Sequence, residues 1–179
     1  MFRYALLAAP LLALGAAAPA EVTQSSAAGF EITQAITADV PIAQVWETLR
    51  APQRWWDKEH TYSGDSANLY LDSQATGCFC ERLPGKGSIE HAHIVYIQPP
   101  RMMRLVGGLG PLQAEAVNGT LTFKLDQEGA NATRITMTYV VGGYVRAGAD
   151  TLAPKVDEVL ALQMINLKKA AEAPPPTAK

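Results

Sequence analysis

Two short pairs stand out as groups that could do chemistry. His91 and His93 are separated by one residue, and so are Cys78 and Cys80. Alternate residues of a strand project to the same face, so each pair is expected to present two like groups side by side. Two imidazoles held this way suit a metal ion, with a third ligand from His60, Cys78, Cys80 or Glu90. Without a metal, the same histidines line a cavity or bond to neighbours. Residues two apart in an extended strand lie about 6.5 Å apart, at the far limit of disulfide geometry. For Cys78 and Cys80, a bridge, two free thiols and a soft-metal site shared with His91 and His93 all remain open.

A second set of residues could shape a ligand site. Trp55 and Trp56 are adjacent aromatics suited to a core or to the mouth of a cavity. Gln34, Arg104 and Gln163 interrupt apolar patterns, and Tyr139 adds a phenol. An inward Arg104 would need a carboxylate or an anionic ligand, because a lone buried charge is costly; an outward Arg104 would need neither. Converging on one cavity, Trp55, Trp56, His91, His93, Arg104, Tyr139 and Gln163 would hold the polar end of an otherwise apolar molecule. His91, His93 or Tyr139 could also serve as acid or base. The chain has no Gly-x-Ser-x-Gly elbow and no phosphate-binding loop. Gly107-Gly108-Leu109-Gly110-Pro111 reads as a loop, and as a lid over the cavity.

The elements that must position these groups follow from periodicity. Phe30 to Ala38 alternates apolar and polar, as a half-buried strand does. Asp39 and Pro41 are a helix start, and Ile42, Val45, Trp46 and Leu49 follow at helical spacing. Further strands are expected at 68–72, 78–83, 88–98, 102–107, 117–126 and 133–142, joined by Pro84-Gly85, Pro99-Pro100 and Glu128-Gly129 turns. From Thr151 to about Ala171, Leu152, Val156, Val159, Leu160, Gln163, Met164 and Leu167 form one helical stripe. Strands followed by one long helix mean α+β. The expected fold is a curved antiparallel sheet of about six to seven strands wrapped on the C-terminal helix, with space between them.

The chain has 179 residues and a formal net charge of −2. Its length suits one domain, and its charge excludes nucleic-acid binding through a basic face. Residues 1–20 read as a signal peptide: Arg3, an apolar run from Tyr4 to Ala18, then Ala18-Pro19-Ala20 as a cleavage site. The run is too short for an integral membrane anchor. The protein is therefore expected to be exported, to the periplasm or outside the cell, after cleavage near Ala20. Residues 21–29 are expected to be a flexible lead-in, 30–172 the domain, and 173–179 a disordered Pro-rich tail.

The helix start Pro41-Ile42-Ala43-Gln44-Val45-Trp46 after a strand, Trp55-Trp56 beyond it, and the final helix from Leu152 to Lys168 resemble the START-type SRPBCC superfamily. The likeness is greatest to its polyketide cyclase/dehydrase and heat-shock ATPase-activator-homologue branch, and covers about Phe30 to Glu172. It implies a helix-grip fold with a cavity for a small apolar or amphipathic molecule, such as a lipid or polyketide-like compound; no cofactor motif is present and no cofactor is expected. The leading expectation is an exported binding protein. The alternatives are a cyclase, dehydratase or hydrolase, and a metal-binding protein using Cys78, Cys80, His91 and His93.

Overall fold

The computed structural model describes residues 21–174. The signal peptide and all but the first two residues of the Pro-rich tail lie outside these. Eight strands form one antiparallel sheet: β1 (Glu21–Ser26), β2 (Gly29–Ala38), β3 (Leu69–Leu71), β4 (Cys78–Arg82), β5 (Ser88–Gln98), β6 (Met102–Val106), β7 (Ala116–Gln127) and β8 (Thr133–Tyr144). Their order across the sheet is β1-β2-β8-β7-β6-β5-β4-β3. Helix α1 (Ile42–Leu49) follows β2, and helix α2 (Ala149–Glu172) ends the fold. This is the α+β arrangement expected, with one strand more.

The extra strand corrects the reading of residues 21–29 as a flexible lead-in. Glu21–Ser26 pairs with β2 in a tight hairpin, Ser26 opposite Gly29. Its sequence is polar because five of its six side chains are exposed, so it carries no apolar alternation to reveal it.

The inner face of the long strands is built as their alternation predicts. Leu121, Phe123 and Leu125 of β7 lie beside Ile135, Met137, Tyr139 and Val141 of β8, all buried. Phe30 and Ile32 of β2 extend this layer, and Val45, Trp46 and Leu49 of α1 close one end. Each large apolar side chain so buried contributes about 1.5–3 kcal/mol against the unfolded chain.

Helix α2 crosses this face with two halves in different surroundings. In the second half, Leu160, Met164 and Leu167 are fully in the core. Polar ties hold the helix along its length. Gln34 Nε2 of β2 donates to the Asp157 carbonyl at 2.9 Å and to its carboxylate at 2.7 Å. Gln44 Nε2 of α1 donates to the Ala171 carbonyl, and Lys168 Nζ to the Thr37 carbonyl. In the first half, Leu152, Val156 and Val159 remain only half-buried. Apolar residues on the predicted stripe thus have no protein neighbour to cover them fully.

Candidate ligand-binding site

The half-covered side of α2 faces a cavity of about 450 Å³. Leu152, Lys155, Val156, Val159 and Leu160 form the helix wall. The opposite wall is the irregular segment from Trp56 to Tyr62, the loop residues Leu109, Gly110 and Pro111, and His91 from the sheet. Most of the lining is apolar. Glu59, His60 and Lys155 supply the charged or titratable groups apart from His91 and Tyr62.

His91 is set by a local irregularity in β5. Phe79 pairs with Ala92 and Cys80 with Glu90, so His91 is an extra residue in a bulge. A second irregularity leaves Val95 extra between Ile94 and Tyr96. A bulge shifts the phase of a strand by one residue. His91 and Ala92 are consequently both buried, whereas the His93 side chain is 47% exposed, with Nδ1 3.2 Å from the Glu90 carboxylate. This corrects the expectation that the two histidines share a face: strict alternation fails at the bulge.

The residue that sequence reasoning missed is Glu81. Its side chain is 0% exposed, and its Oε2 lies 3.0 Å from His91 Nε2. The same carboxylate accepts from the backbone amides of Tyr62, at 3.1 Å, and Ser63. Burial alone pushes a carboxyl up, but hydrogen bonds from Ser63, Tyr62 and His91 outweigh it and hold Glu81 below its ordinary 4.5. Burial likewise pushes His91 below its ordinary 6.5, and the opposing pull of Glu81 is smaller. At neutral pH the pair is therefore a carboxylate and a neutral imidazole, with Nε2–H donating to Glu81. Among the described residues, Nδ1 has no hydrogen-bond partner. The ring itself lies between Phe79, 4.9 Å between centroids, and Tyr62, 5.9 Å. Glu81 lies two residues after Phe79 in a strand, and that spacing was the only sign of its inward position.

Trp56 lines the cavity, packs on Phe79, and donates its Nε1–H to the His60 carbonyl at 3.0 Å. The other expected site residues support the cavity or lie elsewhere. Trp55 is buried beneath it, edge-on to Phe123, and is not part of the lining. Gln163 is buried in α2; its Oε1 accepts from the Asp57 amide at 2.8 Å, and its Nε2 lies 3.2 Å from His60 Nδ1. It therefore ties the helix to the opposite wall. Tyr139 Oη donates to the Gly107 carbonyl at 2.9 Å and accepts from the Leu109 amide at 3.1 Å. This pins the loop expected to be a lid. Gly119 leaves room for that phenol, since a Cβ there would collide with Oη. Arg104 alternates with buried Met103 and Leu105, so it lies on the outer face, where Nε donates to Thr122 Oγ1. It binds nothing in the cavity.

The cysteines are bonded to each other, with Cα atoms 5.4 Å apart. That separation is shorter than a fully extended strand gives, and it falls at a point where the β4–β5 register shifts. The proposed metal site on Cys78, Cys80, His91 and His93 is overturned: the sulfurs are not free, and the histidines point to opposite faces. Among the described residues no cluster of three or more His, Cys, Asp or Glu could hold a metal ion. No helix among them is long and apolar enough to cross a membrane.

No family model matches the chain, and no curated protein matches it in sequence. Solved structures match in fold. An uncharacterised protein from Rhizobium leguminosarum superposes with a TM-score of 0.58 at 20% identity, covering 80% of this chain and 96% of its own. CalU16 from Micromonospora echinospora gives 0.56 at 16%, covering 88% and 87%. A protein from Arthrobacter aurescens gives 0.56 at 15%, covering 89% and 96%. At these identities the likeness establishes that the chain shares their fold: an antiparallel sheet closed on a C-terminal helix.

Proposed function

We propose that this chain is an exported binding protein for a small apolar or amphipathic molecule, built on a START-type SRPBCC helix-grip. The observation that carries this reading is the cavity between the first half of α2 and the Trp56–Tyr62 segment. Its volume falls within the roughly 300–1,000 Å³ of small-molecule sites, and mostly apolar walls with a few polar groups are their usual composition. Leu152, Val156 and Val159 would bury the remainder of their surface against the guest. Glu59, His60 and Lys155 would meet its polar end. The Cys78–Cys80 bridge supports export, because disulfides persist in oxidising compartments.

Native mass spectrometry and titration with a panel of fatty acids and aromatic polyketide-like compounds test the reading. One class should bind, and Val156→Trp, which fills the cavity, should abolish binding while the fold persists. His93→Ala and Arg104→Ala, both outside the cavity, should leave affinity within about twofold. A protein that binds none of the panel, or a Val156→Trp variant that binds equally well, would refute it.

A further inference from the structure

We propose that the Glu81–His91 pair is a general base, and that the cavity removes a proton from an apolar guest bearing an acidic C–H beside a carbonyl. The inference rests on the binding reading above and adds a reaction to it. A buried carboxylate that orients an imidazole through one nitrogen leaves the other as the proton acceptor. Here Nε2 is committed to Glu81 at 3.0 Å, the ring is gripped between Phe79 and Tyr62, and His91 is part of the cavity lining. Glu81 in turn is fixed by the Tyr62 and Ser63 amides. A purely structural histidine would need neither this buried chain of donors nor a place on the wall of a cavity.

The lining also selects the reaction. Covalent acyl transfer requires a nucleophile activated by the base. The two cysteines are bonded to each other. The lining hydroxyls are engaged elsewhere: Thr61 Oγ1 donates to the Lys58 carbonyl, and Tyr62 Oη to the Gly110 carbonyl. With no free side-chain nucleophile among these lining groups, the proposal takes the proton directly from the guest. Nδ1 takes the proton and the C–H electron pair moves to form an enolate; in a guest with a C=C β,γ to the carbonyl this is a dienolate, and return of the proton from Nδ1 to its γ carbon shifts the double bond and completes an isomerisation. No oxidant, reductant or second substrate is consumed. The remaining titratable or charged groups around His91 are Glu59 and His60 of the turn at Lys58–His60, Tyr62, and Lys155 of α2.

The probe is 5-nitrobenzisoxazole, an apolar carbon acid. Loss of its C3 proton to Nδ1 forms the nitrile as the N–O bond breaks, and the electron pair leaves on a coloured phenolate. The intact protein should accelerate this reaction, with a rate that rises with pH along the titration of His91 followed by NMR of its ring, midpoint below 6.5. His91→Gln should lower the rate about a hundredfold, the lower end of what a positioned base supplies; His93→Ala should leave it unchanged. Probe binding is followed separately by tryptophan fluorescence. Binding without turnover, or a pH profile that departs from the His91 titration in the unaltered protein, overturns the base and leaves the binding reading standing. Failure of the probe to bind while members of the panel do overturns the base alone, and failure of both overturns both.

Discussion

The Asp57 amide donates to Gln163 Oε1 across the gap between the Trp56–Tyr62 segment and α2, at 2.8 Å. One buried side chain thus joins the two walls of the cavity. Gln163→Leu should leave that amide unpaired and cost about 1–3 kcal/mol. It should also weaken guest binding, because the wall loses its anchor. A denaturant midpoint unchanged from the natural protein would show that the bond contributes nothing.

Tyr139→Phe keeps the ring and deletes the hydroxyl that holds Gly107 and Leu109. Two buried backbone groups lose their partner, again at about 1–3 kcal/mol. Amide exchange should speed up locally from Gly107 to Pro111 and stay slow in β7. Burial also raises the phenol from 10.0 to about 12. A group whose folded value is raised stabilises the fold below its unfolded value and loses that contribution as pH climbs. Stability should therefore decline between pH 10 and 12, and by less in Tyr139→Phe.

Acid should act through the Glu81–His91 pair in two stages. Both groups have folded values below their unfolded ones. Each therefore stabilises the fold at high pH and ceases to do so as pH falls. His91 begins to lose its contribution below 6.5, where the unfolded imidazole takes up a proton; Glu81 follows below 4.5. Urea midpoints measured from pH 8 to 3 should show both stages, and His91→Gln should remove the upper one. A flat curve down to pH 5 would contradict the burial argument for the imidazole.

The disulfide closes a very short loop, so its entropic gain is small, roughly 1.5 kcal/mol on a chain-entropy estimate. Cys78→Ser with Cys80→Ser should lower stability by about that amount and leave the protein folded. Unfolded protein without reductant should show no free thiol, and with reductant two. Thiols detected without reductant would refute the bridge.

The long strands and α2 were legible because each buries one face against a common core, which imposes strict periodicity on residues such as Leu121 to Leu125 and Ile135 to Val141. The helix stripe even held the cavity in plain sight, since Leu152, Val156 and Val159 are apolar beyond what the core covers. What escaped was local. A bulge is one inserted residue that changes no composition, so His91 and His93 read as a pair when only one is inside. Nothing in the sequence singled out Glu81, because its partners, the amides of Tyr62 and Ser63, are backbone groups in an irregular segment. Tyr139 and Gln163 were found as polar residues among apolar neighbours, but their partners lie far off in the chain, and spacing alone could not tell support from contact.

The Cys78–Cys80 bond encloses a single residue, Phe79, and the ring of Phe79 backs both His91 and Trp56. Covalent closure around that residue makes the sheet side of the chamber an anvil. The opposite side has no such clamp, and Pro154 leaves one rung of the backbone ladder missing in the first part of α2. If the cavity takes a guest as proposed, adjustment to differently shaped molecules would fall to the helix side, against an imidazole backed by the closed loop.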